Sequence, residues 1–162
     1  MIKTLPRAKD IMMRRPLTLK PDMRTKDAAA KLLKKGVFSA PVVDEDRTFL
    51  GQFSQQGCMI ALVDIVYHQV PIPVFVRDYL EAETRTITED TGLLTIASIF
   101  AESERLLLSL PVLCKGKVIG LVARLDVIRA ILKFVSLFPE PKAATLYISA
   151  LIESEKDRPK LD

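Results

Sequence analysis

The sequence predicts an α+β fold: tandem β-α-β-β-α repeats packed about a pseudo-twofold axis, with an extra C-terminal helix. Three observations predict it. "SAPVVDEDRTFLGQFSQQG" (residues 39–57) and "SLPVLCKGKVIGLVARLD" (109–126) share one plan, with Pro41-Val42-Val43 on Pro111-Val112-Leu113 and Leu50-Gly51 on Ile119-Gly120. Upstream, "AKDIMMRRPLTLKPD" and "VRDYLEAETRTITED" align, with Asp10 on Asp78, Thr18 on Thr86 and Asp22 on Asp90. Apolar spacing also switches between helical and strand periods in the same order in both copies. One such repeat covers only part of a small sheet, and pairing two of them buries what each leaves exposed.

The elements follow in chain order. A turn of helix (9–13; 77–80) leads to a brief strand (17–19; 85–87). An amphipathic helix comes next (25–35; 92–103). In "TKDAAAKLLKKG" the apolar stripe is Ala28, Ala29, Leu32 and Leu33; in the second copy it is Leu93, Ile96, Ala97, Phe100 and Ala101. Two strands joined by polar turns follow (40–44 with 48–53; 110–114 with 118–122), then a closing helix (56–68; 125–137). The offset between copies is 68 upstream and 70 at the prolines, so the second copy gains two residues in its first helix or the turn after it. The expected organisation is repeat 1 at 8–69, a Pro-rich joint "VPIPV" within 70–75, repeat 2 at 76–137, and a C-terminal helix with a polar tail at 138–162. In that last segment Ala143, Leu146, Tyr147, Ala150 and Leu151 form one apolar face, broadened by Ile148 and Ile152. Such a face packs on its own domain or on a second subunit.

Composition removes several function classes. Apolar residues make up 49% of the 162, and no apolar stretch reaches the roughly 18 residues of a membrane helix. The N-terminus lacks a signal-peptide core, which places the chain in the cytoplasm. Cys58 and Cys114 lie in apolar segments and read as inert buried thiols, with pairing as the alternative. One histidine, His68, makes no zinc site. Residues 1–75 hold 12 Lys and Arg against 7 Asp and Glu. This excess reads either as an anion-attracting face or as a solvated helix surface, and no aromatic or Arg-rich motif points to nucleic acid. No catalytic dyad, metal cluster or "GxxxxGK[ST]" loop supports an enzyme.

The ordered motifs "DIM…P…T…PD", "SAPVVD" and "LGQFSQQG", then "VRDYL…T…ED", "SLPVL" and "IGLVARLD", resemble the cystathionine-β-synthase (CBS) domain pair over about residues 8–137. The resemblance implies a regulatory module rather than a catalyst. It implies adenosine ligands (AMP, ADP, ATP or S-adenosylmethionine) in clefts between the halves, no required cofactor, and pairing into a homodimer. The family's ligand signature is Gly-apolar-apolar-[Ser/Thr]-x-x-Asp. The Asp receives the ribose hydroxyls, the hydroxyl residue and the helix N-terminus hold phosphate, and adenine lies on the first two strands. Here the signature is split. The first copy, Gly51 to Gly57, keeps Ser54 but has Gly57 in place of the Asp; the second, Gly120 to Asp126, keeps Asp126 but has Ala123 in place of the hydroxyl. The implied nucleotide-binding residues are Asp126, Arg124, Thr86, Ile87 and Pro111 in the second copy, and Ser54, Thr18, Leu19 and Pro41 in the first.

Each residue also has a plainer role. Asp126 and Ser54 suit helix capping, Arg124 suits the surface, and Thr18 and Thr86 are ordinary strand threonines. Two functions remain: a ligand-sensing module acting on a regulated protein the sequence does not name, and a dimeric adaptor that has lost nucleotide binding.

Overall fold

The computed structural model describes residues 4–68, 74–103 and 107–137. The expected C-terminal helix and most of the joint at 70–75 lie outside them. The chain divides into two units, Met1–Ile131 and Leu132–Asp162. Of the second unit, the described part is the end of the last helix, where the Ser136 N–H donates to the Leu132 carbonyl (3.0 Å).

The first repeat runs α1 (Ala8–Ile11), β1 (Met13–Arg14), α2 (Thr25–Lys35), β2 (Ser39–Val43), β3 (Phe49–Ser54) and α3 (Gln55–His68). The second runs from a 3-10 turn (Val76–Asp78) through β4 (Ile87–Thr88), α4 (Leu93–Glu102), β5 (Ser109–Cys114) and β6 (Lys117–Ala123) to α5 (Arg124–Val135). The two extra residues of the second copy fall after its amphipathic helix, since α2 and α4 start at equivalent positions and β2 and β5 are offset by the full difference. The brief first strand is shorter than expected: Leu19 makes a single parallel bridge to Val42, and β4 pairs Ile87 with Val112 in the same sense.

The short α1 and the 3-10 turn begin alike. An aspartate at the third position accepts a bond from the amide before the helix: Arg7 N–H to Asp10 Oδ2 (2.8 Å) and Phe75 N–H to Asp78 Oδ2 (3.0 Å). This half of a capping box satisfies a donor that so short a helix leaves free. In α2, Thr25, Ala28, Ala29 and Leu32 are buried while the lysines face water. Leu33, expected in the stripe, is instead 79% exposed, one position past the edge of the buried arc. Ala101 of α4 is likewise exposed.

The repeats exchange their N-terminal segments. Ala8 N–H donates to Thr91 O (2.8 Å) and Val76 N–H to Met23 O (2.9 Å). Lys9 N–H donates to Glu89 O (2.9 Å) and Arg77 N–H to Pro21 O (3.0 Å). Leu93 N–H reaches Pro6 O (3.0 Å) and Thr25 N–H reaches Val74 O (2.9 Å). Each pair of bonds repeats after the offset of 68, so each repeat's entry segment docks at the start of the other's amphipathic helix. The exchange continues into the sheets. β1, whose Met13 is expected at the end of the first helical turn, pairs antiparallel with β6 (Met13 with Leu121), giving the order β1-β6-β5-β4. Its counterpart Glu81 bridges Gln52 of β3, which pairs with β2.

Two apolar clusters result, one around Leu19, Leu32, Val42, Phe53 and Val76 and one around Ile87, Leu93, Ile96, Leu110, Val112 and Val122. Between them the equivalent Ser39 and Ser109 meet, Oγ to Oγ at 2.8 Å, and Gln52 Nε2 donates to both (2.7 Å each). All three are buried, so this network satisfies polar groups that would otherwise be costly beside the axis. At the periphery, Asp90 accepts from Lys9 Nζ (2.9 Å) and Arg7 Nη1 (3.1 Å), tying the chain start to the second repeat.

Those two bonds, Lys9 first, hold the Asp90 carboxyl below its ordinary value of 3.8. Its stabilising contribution is therefore present above that unfolded value and lost as pH falls through the lower folded one. Asp90→Asn is expected to melt slightly below wild type near neutrality, with the gap closing in acid melts below about pH 3.8. A gap independent of pH would show that the charge is not the cause.

Candidate functional site

Each strand that ends a repeat's hairpin runs straight into a helix, and the split signature sits on that junction. In the first repeat Ser54 precedes α3, and its Oγ accepts the Gly57 N–H (3.2 Å). In the second, Ala123 precedes α5, and its N–H donates to Asp126 Oδ2 (3.1 Å). These are the two halves of one capping box, hydroxyl at the cap and carboxylate at the third helical position, divided between the repeats. The expected capping roles of Ser54 and Asp126 are therefore both realised. The other oxygen of Asp126 accepts from Arg129 Nη1 (2.9 Å), and its side chain keeps 25% of its exposure.

Gly57 has a steric reason to be glycine. A Cβ there would lie 2.9 Å from the Tyr79 carbonyl oxygen, so no acidic side chain fits without moving that backbone. Tyr79 is held in place by its hydroxyl, which donates to Asp64 Oδ2 on α3 (2.8 Å). That bond, with lesser contributions from burial and nearby carboxylates, pushes the phenol's pKa up.

The second-repeat residues share one sheet and its helix. Ile87 is buried against Val112, Pro111 is buried opposite Leu121, and Thr86 stands exposed before β4. Arg124 is not the surface arginine its plain reading suggested. Its Nη2 donates to the Leu107 carbonyl (2.7 Å) and its guanidinium lies 5.7 Å from the Phe100 ring centre. Its Nε is buried without a hydrogen-bond partner among the described residues. It fastens the chain entering β5 to α4 and α5. In the first repeat Leu19 and Pro41 are fully buried, with Leu19 N–H bonded to the Pro41 carbonyl (2.9 Å), while Thr18 is half-buried. The two sets lie on different sheets: Leu19, Pro41 and Ser54 with β2 and β3, Ile87 and Pro111 with β4 and β5.

Cys58 is half-buried and desolvation pushes its thiol up, in keeping with inertness. Cys114 departs from expectation: it is free and exposed, because it ends β5 at the open hairpin turn. His68 lies 4.0 Å from Asp64. Among the described residues no group of three His, Cys, Asp or Glu is placed to hold a metal, and no helix is long and apolar enough to cross a membrane.

The family model for the CBS domain matches twice, over residues 8–64 and 76–133. The chain belongs to the CBS-domain family. Its CBS pair is similar to CBSX2 from Arabidopsis thaliana, solved in complex with AMP, at a TM-score of 0.70 and 25% identity over 80% of this chain and 98% of that one. It shares its fold with the CBS domain pair of protein MJ0100, solved with 5′-methylthioadenosine and S-adenosyl-L-methionine (TM-score 0.68, 21% identity, covering 79% and 97%). The A-adding tRNA nucleotidyltransferase of Aquifex aeolicus (strain VF5) is 30% identical over 126 residues, which is 77% of this chain and 14% of that enzyme.

One contact at the first junction has no signal in the sequence. Ser54 Oγ–H donates to Glu81 Oε1 (2.6 Å), which lies on the other repeat's entry segment. Nothing in either copy's motif flags Glu81, because the contact depends on the segment exchange.

Proposed function

We propose that this CBS pair is a regulatory module that senses an adenosine nucleotide, taken up in the second repeat beside Asp126. The observation that carries the reading is the place of that carboxylate: partly exposed, on the first turn of α5, at the end of the β-strand that the family signature specifies. The AMP complex of the 25%-identical CBSX2 supports the ligand class. Thr86, Ile87 and Pro111 complete the proposed site, with Arg124 setting the approach to it. The module takes residues 8–69 and 76–137 as its repeats and acts on a protein partner. It works as a homodimer, for which the exposed apolar side chains of α3 (Met59 at 67%, Val66 at 74%, Tyr67 at 81%) speak. Light scattering at twice 18.1 kDa tests that point.

Thermal melts with AMP, ADP, ATP, NADH and S-adenosylmethionine test the ligand. A ligand at 100 times its dissociation constant adds about 2.7 kcal/mol, or a shift of about 5–10 °C for a chain this long. Asp126→Asn is expected to remove most of the shift while folding normally, since Asn still accepts the Ala123 N–H. Losing two charge-assisted bonds to a ribose is worth on the order of 3 kcal/mol, more than 100-fold in affinity. Equal binding by wild type and variant would refute the site.

The adaptor reading is favoured by one observation: both Asp126 oxygens and the Ser54 hydroxyl already have partners within the chain. It prevails if no adenosine compound shifts the melt at about millimolar concentration.

A further inference from the structure

The geometry points to Glu81 as the residue that closes the first repeat to phosphate, so that the chain takes one nucleotide, in the second repeat; this rests on the nucleotide-sensing reading above. Ser54 has one proton to give, and it goes to Glu81 Oε1 at 2.6 Å, the short distance of a charge-assisted O–H···O⁻ bond. Its lone pair meanwhile takes the Gly57 N–H (3.2 Å). The one proton that the hydroxyl of the family signature could offer to phosphate is thus already taken, and its acceptor is a carboxylate. A phosphate approaching that hydroxyl would meet a like charge.

Glu81 is held at its backbone. Its N–H donates to Gln52 O (2.8 Å), Gln52 N–H donates to Glu81 O (2.9 Å), and Thr84 Oγ–H donates to the same carbonyl (2.8 Å). The neighbouring Tyr79 carbonyl blocks an acidic side chain at position 57, so the ribose-accepting group has no place in this repeat either. The second repeat differs at both positions. The residue equivalent to Glu81 is the uncharged Met13, paired with Leu121, and the helix start carries Asp126.

Two titrations test this, with inorganic phosphate and AMP as probes on wild type, Glu81→Gln and Glu81→Ala, all checked for folding by thermal melts. Inorganic phosphate is followed at the Gly57 amide by NMR. The expected result is no saturable shift in wild type and a saturable one in Glu81→Ala, with Glu81→Gln, which still accepts the Ser54 proton but lacks the charge, in between. AMP calorimetry is expected to give about one site per wild-type chain and a second, weaker one in Glu81→Ala, each site needing its own anion pocket. A Gly57 response to phosphate in wild type, or none in either variant, overturns the role of Glu81. Absence of AMP binding to every protein would instead overturn the nucleotide reading, leaving the phosphate result to stand or fall alone.

Discussion

Gly51→Ala is expected to destabilise the protein by about 3–5 kcal/mol, whereas the equivalent Gly120→Ala costs about 1 kcal/mol. The difference comes from what each glycine faces. Gly51 has φ +153°, a backbone conformation that side chains disfavour. A Cβ there would sit 2.6 Å from the Glu81 carbonyl oxygen and 3.1 Å from the Ala82 Cα, and against the Leu80 side chain. The Glu81 carbonyl is fixed by two donors, Gln52 N–H and Thr84 Oγ, so the backbone cannot yield without breaking the exchange between repeats. At Gly120 the three atoms nearest to a Cβ all belong to the side chain of Met12, an unbranched residue that can shift its outer atoms. Melting should fall by about 10 °C for Gly51→Ala and by only a few degrees for Gly120→Ala. Equal melting temperatures would mean that the segment around Glu81 is not held as the geometry requires.

That contrast marks where the sequence was readable. Prolines, glycines and aspartates at fixed offsets identified the two repeats, because identical local demands recur: Asp10 and Asp78 cap the same short helix, and Val42 and Val112 are fully buried on equivalent strands. Periodicity found α2 and α4 because each buries one face. What it could not show was which repeat an equivalent residue serves. Met13 and Glu81 align perfectly, yet each acts on the other copy's sheet, Met13 on Leu121 and Glu81 on Gln52, and a pattern within one copy carries no information about a partner in the other. Arg124 is a similar case. Its charge argued for solvent, but its contacts with Leu107 and Phe100 depend on how α4 and α5 meet. At the site, the alignment exposed the split signature and the junction geometry explains it: one capping box, halved, with Tyr79 backbone filling the place of the missing carboxylate.

Phe53→Ala is the second substitution expected to cost about 3–5 kcal/mol, a large share of a stability of about 5–15 kcal/mol. Phe53 is fully buried on β3, opposite Ala40, in the cluster with Leu19, Leu32, Val42 and Val76. Its ring also reaches beneath α3, with two ring carbons 3.7 Å from where a Gly57 Cβ would be. The equivalent residue of the second repeat is Val122, also fully buried, beneath a helix that carries Asp126 instead of glycine. The larger ring thus occupies the repeat that gives up a side chain at the third helical position. Truncating the ring removes more apolar surface than truncating Val122, and the surrounding alanines at 28 and 40 offer little to fill the void. Val122→Ala should cost about 2 kcal/mol, and Phe53→Val should fall between the two alanine variants. Because Phe53 lies away from Asp126, Phe53→Ala should keep the AMP-induced melting shift on its lowered baseline. A Phe53→Ala protein that melts within about 2 °C of wild type, or below which Val122→Ala falls, would contradict the packing; loss of the AMP shift alone would place the nucleotide in the first repeat after all.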